Sequence, residues 1–317
     1  MTAIIYHRVD WDGYTSAAVA LCAFPQADLI GWNYRDPLPD VSKYDRVIVV
    51  DLTVYSTNPD GSRDFSWMFD NQKKLIWIDH HPIIHDVPGT YAGIQEEGIG
   101  ACWLTWKYFH DEYGISCNTS HIKYAATFDV FRKDGWLCSW EDAWAYQLFL
   151  NKFGPGYTPK TGDCSKKLVC LAKSFLCTDD PDKIKQNLQL GYGREDERAL
   201  EEAEIFTKCA HRMRIGKYLG WLIESDKQPA MVVKSHSDRG IGDFFILWAQ
   251  TKGKVDSDGN LRISVRTAES SDFSSRQFAE KHLGGGHEKA AGCTISPVDL
   301  AAYLQGVSFM EVTMIDF

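Results

Sequence analysis

Apolar residues in the first part of the chain come in short unbroken runs, not in polar–apolar alternation. Ala3-Ile4-Ile5-Tyr6, Val47-Ile48-Val49-Val50 and Leu75-Ile76-Trp77-Ile78 are three such runs. Runs of this kind predict strands buried on both faces of a parallel sheet. A further strand is predicted over Asp28 to Trp32. A small apolar helix is expected from Ser16 to Phe24, capped by Ser16 or Thr15, and an amphipathic one from Phe65 to Lys74. Strands alternating with helices predict βαβ units.

After Pro88-Gly89 the pattern turns helical. Cys102 to Glu112 carries Trp103, Leu104, Trp106 and Phe109 at helical spacing, a stripe that belongs to a core. His121 to Phe128 is helical or extended. A helix from Ser139 to Phe153 opens on a Ser139/Asp142 capping box and ends in a turn at Gly154-Pro155-Gly156. Asp163 caps the next helix, which carries Leu168, Val169, Leu171, Ala172, Phe175 and Leu176. Tyr192 to Met213 is dense in charge and predicts an exposed connecting helix. Strands are expected beyond it over 215–224 and 231–233, then a helix over 240–250 and a hairpin from Val255 to Val265 turning at Asp258-Gly259. Helices from Ser274 to His282 and from Ser296-Pro297 to Leu304 complete the chain. The expected fold class is α/β. A parallel-sheet domain with helical additions spans 1–192, a helical linker 193–213, and a smaller α/β domain with a mixed sheet 214–317.

Composition narrows the function. The chain has 317 residues, 44% of them hydrophobic, a net charge of −9 and a pI of about 5.6. An acidic surface is a poor partner for long nucleic acid, because phosphate neutralisation needs basic groups. It suits a short anionic ligand when metal ions supply the positive charge. Nine cysteines without a C-x-x-C pair suggest reduced thiols of a cytoplasmic protein. No secretory leader and no membrane span are expected.

The chemistry sits where the apolar runs end. The first run leads into His7, Asp10, Asp12 and Gly13, the second into Asp51, and the third into Asp79-His80-His81-Pro82. Open α/β sheets place ligands at the carboxyl ends of their strands. Consecutive residues of an extended segment point opposite ways, so His80 and His81 can serve different partners. Mixed histidine and carboxylate ligands suit Mn2+, Fe2+ or Zn2+, and so many ligands suit a pair of ions bridged by an aspartate. Asp129, after Ala125-Ala126-Thr127-Phe128, is a further candidate ligand. In the second domain Gly284, Gly285 and Gly286 precede His287. Three consecutive glycines are costly to order and mark a close backbone approach. An anion site is expected there, with Ala290-Ala291 starting a helix whose N-terminus favours negative charge, and with Arg266 nearby.

Taken together, His7-x-x-Asp10-x-Asp12-Gly13, Asp51, Asp79-His80-His81 and Asp129 resemble the four motifs of the DHH phosphoesterase family. Gly284-Gly285-Gly286-His287 with Ala290-Ala291-Gly292 resembles the GGGH motif of the domain that accompanies it. The size and two-lobe layout are most similar to the nanoRNase branch. The resemblance implies two divalent ions, most readily Mn2+, in a cleft between the lobes. One would take His7, Asp10 and a bridging Asp51, the other Asp12, Asp51, His80 and Asp129. It implies that His81 lies beside the scissile phosphate and that Asp79 orients a ligand histidine. Arg266, Gly284, Gly285, Gly286 and His287 would hold the substrate's phosphate and terminal nucleotide. The expected activity is hydrolysis of short oligonucleotides to nucleoside monophosphates. The alternatives are the same chemistry on a cyclic dinucleotide, 3′-phosphoadenosine phosphate, pyrophosphate or polyphosphate, or a catalytically silent nucleotide-binding protein. No long duplex and no membrane are expected as partners, and a homodimer is allowed.

Overall fold

The structure, a computed structural model, describes residues 1–34, 36–58, 61–153, 162–178, 180–225, 229–248, 255 and 259–304. The chain divides into two compact units, Met1–Glu195 and Asp196–Phe317. The predicted turn at Gly154-Pro155-Gly156, the side chain of Asp163 and the hairpin position Asp258 lie outside the described residues.

In the first unit the order is β1 (Thr2–His7), α1 (Trp11–Ala23), β2 (Asp28–Trp32), β3 (Arg46–Val50), β4 (Ser56–Thr57), β5 (Arg63–Asp64), α2 (Ser66–Asn71), β6 (Leu75–Ile78), α3 (Ala101–Tyr113), α4 (Ser120–Asp129), α5 (Trp140–Leu150), α6 (Gly162–Leu176) and α7 (Pro181–Tyr192). Four strands form one sheet in the order β2-β1-β3-β6, all parallel. The unbroken runs are explained by burial on both faces. Ile4, Tyr6, Ile48, Val50, Ile76 and Ile78 face a core built with α1, α3, α5 and α6. Ala3, Ile5, Val47, Val49, Leu75 and Trp77 face a second core with Trp67 and Met68 of α2.

Helix α1 starts earlier than its apolar pattern suggested. Asp10, not Thr15 or Ser16, is the N-cap, and its carboxylate accepts from the Gly13 N–H at 2.9 Å. The cap was obscured by the mixed Trp11-Asp12-Gly13-Tyr14 segment that follows it. Ser139 does cap α5, accepting from Asp142 N–H.

The second unit continues with α8 (Glu195–Cys209, which opens on the last residue of the first unit), β7 (Ala210–Ile215), β8 (Tyr218–Glu224), α9 (Pro229–Asp238), β9 (Phe244–Trp248), β10 (Leu261–Thr267), α10 (Ser275–Glu280), β11 (Gly285–His287), β12 (Ala290–Ile295) and α11 (Pro297–Leu304). Six strands form a mixed sheet in the order β11-β12-β10-β9-β8-β7, antiparallel except for β8 with β9.

Four expectations change here. The helix expected from Tyr192 to Met213 ends at Cys209, and 210–213 belong to strand β7. Residues 231–233 belong to helix α9, not to a strand. The segment 240–250 holds strand β9, because Phe244-Phe245-Ile246-Leu247 is an unbroken apolar run buried between β8 and β10. Ala290-Ala291 starts strand β12, not a helix, so no helix N-terminus awaits an anion there. The glycine triplet is explained by close packing of β11 on β12. A Cβ on Gly284 would lie 2.2 Å from the Gly292 carbonyl oxygen, and one on Gly286 2.7 Å from that of Ala290. The charged run on α8 is also not a purely solvated face, since Arg198 and Glu202 are buried.

Candidate metal centre

Strand register builds the centre. Tyr6 pairs with Val50, and Val50 with Ile78, so the three strands end in one row. The chain therefore delivers His7, Asp51 and Asp79 side by side at the sheet's carboxyl edge. Gly13 lets α1 start directly above this edge, since a Cβ there would sit 2.1 Å from the His7 carbonyl oxygen. The start of α1 carries Asp10 and Asp12 over the strand ends. Asp12 is fixed from the other side: its oxygens accept from Ala101 N–H (2.7 Å) and Cys102 N–H (2.8 Å) at the N-terminus of α3. A helix N-terminus favours such a carboxylate through its open N–H groups and its dipole. Asp129, the last residue of α4, completes the group.

Asp51 stands at the middle, 1% exposed. Its Oδ2 faces His7 Nδ1 at 3.5 Å, and its Oδ1 faces His80 Nε2 at 3.2 Å. His7 Nδ1 is also 3.0 Å from Asp10 Oδ2. His80 Nε2 is 3.3 Å from Asp129 Oδ2 and 3.6 Å from Asp12 Oδ2. Two ligand sets thus lie on opposite oxygens of one carboxylate: His7 with Asp10, and His80 with Asp12 and Asp129. Donor atoms close enough to share an ion group as Asp12–His80–Asp129 and as His7–Asp51–His81.

The residues fit divalent ions. Neither oxygen of buried Asp51 receives a hydrogen bond. Buried polar atoms left this way are costly without a further ligand. Atoms bound about 2.1 Å from one ion stand roughly 3.0–3.4 Å apart, a spacing met from His80 Nε2 to Asp51 and Asp129 and exceeded slightly to Asp12 at 3.6 Å. Burial holds the Asp51 carboxyl well above the ordinary range, and the charges of Asp10, Asp12, Asp129 and Asp79 push it the same way. Burial also raises Asp12, against the Cys102 and Ala101 donors. A cation would reverse both effects. Backbone conformation agrees, since Asp51 has φ +59°, a left-handed value that aspartate tolerates better than most residues.

Asp79 and His81 form a separate dyad. Asp79 Oδ1 accepts from His81 Nδ1 at 2.8 Å and from His80 N–H at 2.8 Å, while Thr53 Oγ1 donates to Asp79 Oδ2 at 2.7 Å. Burial works against both charges, yet the pairing with His81 holds Asp79 below its usual pKa, and Asp79 lifts His81 to about 9. Asp79 thus orients His81, a histidine whose own donor atom lies within ion-sharing distance of His7 and Asp51. His81 remains partly exposed with Nε2 directed away from Asp79.

In the second unit, β-pairing sets Arg266 opposite Ala290 and Ala290 opposite His287. Directly paired residues share a sheet face, so Arg266 and His287 lie on the same face with Ala290 between them. Gly284 precedes β11, and Gly285 and Gly286 lie within it.

Sequence reasoning passed over Thr53 and Asn33. Asn33 follows the carboxyl end of β2, the same kind of position that singled out His7, Asp51 and Asp79. Its Oδ1 lies 3.2 Å from His7 Nε2.

No protein-family profile matches the sequence, and no curated protein matches it. Among solved structures, RecJ from Thermus thermophilus, determined in complex with Mn2+, matches with a TM-score of 0.50 at 15% identity, over 95% of this chain and 50% of the RecJ chain. The chain therefore spans half the length of that protein. PggH, a pGpG-specific phosphodiesterase from Vibrio cholerae, aligns over 95% of both chains at 14% identity, with a TM-score of 0.47. A putative family II inorganic pyrophosphatase from Methanococcus jannaschii aligns over 99% of this chain and 97% of its own at 13% identity, with a TM-score of 0.26. At such identities a match speaks for the fold alone. The likeness to RecJ is one of α/β fold, which in this chain is carried by the parallel sheet and the mixed sheet.

Proposed function

We propose that the protein is a metal-dependent phosphoesterase of the DHH kind that hydrolyses phosphodiester bonds of short oligonucleotides. The observation that carries this reading is buried Asp51, whose two oxygens face separate histidine–carboxylate sets and receive no hydrogen bond.

Two divalent ions, with Mn2+ the first choice, would be held by His7, Asp10 and Asp51 and by Asp12, Asp51, His80 and Asp129. Bound there, they would supply Lewis acidity toward a phosphoryl group and an activated water. The chain's own residues do the rest. His81, whose pKa is raised by its pairing with Asp79 against the effect of burial, would present an Nε2–H donor for a phosphoryl or leaving oxygen. Thr53 and the His80 N–H keep the Asp79 carboxylate aimed at His81. Arg266 and the segment Gly284–His287 are assigned to the substrate's phosphate and terminal nucleotide on the strength of the motif and their common sheet face.

Purified protein with Mn2+ should release nucleoside monophosphate from a 5′-phosphorylated dinucleotide faster than it acts on a longer single strand, a cyclic dinucleotide, 3′-phosphoadenosine phosphate or pyrophosphate. Preference for one of the latter three keeps the chemistry and changes the substrate. Nucleotide affinity without Mn2+-stimulated phosphate release would leave a binding protein.

A further inference from the structure

We propose that Asn33 is a positioning residue that sets the tautomer of His7, so that the lone pair of its Nδ1 is directed at Asp10 and Asp51. The inference deepens the metal-binding reading above and, for its consequence on ions, rests on it.

The assignment follows from one fixed acceptor. Asn33 Oδ1 accepts from the Tyr34 backbone N–H at 2.9 Å. A backbone N–H can only donate, so the atom it meets is the carbonyl oxygen of the side chain and not the amide nitrogen. That same oxygen lies 3.2 Å from His7 Nε2. An acceptor there requires Nε2 to carry the proton. In a neutral imidazole the other nitrogen is then the acceptor. That nitrogen is Nδ1, which faces Asp10 Oδ2 at 3.0 Å and Asp51 Oδ2 at 3.5 Å. With the proton on Nε2, His7 has nothing to donate to either carboxylate through Nδ1. It offers them only a lone pair, held there by the Asn33 acceptor, to which a cation among the three groups could bind.

The loop carrying Asn33 is braced independently of His7. Asn33 N–H donates to Asp36 Oδ2 at 2.9 Å. Asp36 is gripped by Arg8, whose Nε lies 3.1 Å from Oδ2 and whose terminal nitrogen lies 2.8 Å from Oδ1. Arg8 is the residue after His7, and its own N–H donates to the Trp32 carbonyl at 3.2 Å. The ligand and its orienting acceptor are thus locked into one register by the pairing of β1 with β2. Ligand histidines generally donate their second ring N–H to such a partner, and losing it costs roughly 10- to 100-fold in metal affinity. The Tyr34 ring, 5.7 Å from the His7 ring, packs edge-on beside this hydrogen bond.

Histidine-labelled protein, metal-free and at a pH where His7 is neutral, tests the tautomer by long-range 1H–15N correlation. The parent should show His7 protonated on Nε2, and Asn33→Leu should move the proton to Nδ1, toward Asp10. A parent protonated on Nδ1 overturns the proposal. Mn2+ titration by calorimetry then tests the consequence: Asn33→Leu should weaken one of two binding events by roughly 10- to 100-fold, and Asn33→Asp, which keeps the acceptor, should restore it. Equal Mn2+ affinity in the parent and Asn33→Leu also overturns the proposal. A parent with the Nε2–H tautomer that binds no Mn2+ removes the metal reading while supporting Asn33 as the residue that sets the tautomer. Should Asn33→Leu unfold, the Asn33→Asp spectrum carries the test, since it must keep the Nε2–H tautomer.

Discussion

Asp51 combines burial, a left-handed backbone and four carboxylates whose charges act on it. Each of these costs stability, and a cation would offset the burial of the carboxylate and the repulsion among the charges. Asn tolerates the same backbone conformation as Asp and carries no charge. Asp51→Asn should therefore raise the melting temperature of the metal-free protein. Its response to Mn2+ should shrink: the parent gains about 2.7 kcal/mol per site at an ion concentration of 100 times Kd, and the variant loses most of that gain. Scanning calorimetry with and without chelator checks both. His121 shows the opposite use of burial. It is held between Thr15 Oγ1 (2.9 Å) and the Tyr146 hydroxyl (3.1 Å), and burial alone carries its pKa down to about 3. Between that value and the unfolded value near 6.5, the unfolded chain binds the extra proton. Stability from this site is therefore complete above about pH 6.5 and declines as pH falls toward 3. Urea unfolding at stepped pH should show the decline, and His121→Gln should flatten it. The ligand-type residues themselves stood out in the sequence because acids and imidazoles directly follow apolar runs. Asn33 did not, because an amide after a strand is common and only its 3.2 Å approach to His7 distinguishes it.

At the scale of elements, the three strand ends were legible and their alignment was not. The apolar runs locate β1, β3 and β6, yet only the pairing of Tyr6 with Val50 and of Val50 with Ile78 shows that His7, Asp51 and Asp79 share a row. Asp10 escaped notice as a cap because it also belongs to the ligand-type cluster. One carboxylate thus starts α1 through Gly13 N–H while its other oxygen faces His7. In the second unit, local pattern failed where sheet context decides. Phe244 to Leu247 is short enough to suit strand or helix, and its burial between two neighbouring strands selects strand. Gly13 offers an element-scale test. Gly13→Ala places a methyl group against the His7 carbonyl, a backbone atom that cannot rotate away. It should cost roughly 1–3 kcal/mol by overpacking and weaken Mn2+ binding, because α1 must lift Asp10 and Asp12 off the strand ends. Chemical denaturation and Mn2+ titration measure the two effects.

At the scale of the whole chain, each unit has cores of its own, and the charged run between them misled because charge density does not reveal which face is buried. Arg198 and Glu202, one helical turn apart on α8, turn inward onto α9. Glu202 accepts from Ser235 N–H, His236 N–H and His236 Nδ1, and Arg198 donates to Ser235 Oγ and the Met231 carbonyl. Removing one partner of such a buried pair costs about 3–5 kcal/mol, so Glu202→Ala should destabilise the second unit by that order in thermal unfolding. Among the described residues no helix is long and apolar enough to cross a membrane. Five carboxylates, those of Asp10, Asp12, Asp51, Asp79 and Asp129, gather at one sheet edge around His7, His80 and His81. Anomalous diffraction from crystals grown with Mn2+ addresses this concentration of charge most directly. Two peaks are expected, one on each side of the Asp51 carboxylate, the first beside His7 and the second beside His80. Density without any peak at Asp51, or with ions bound only elsewhere on the protein, would contradict a binuclear centre at the strand ends.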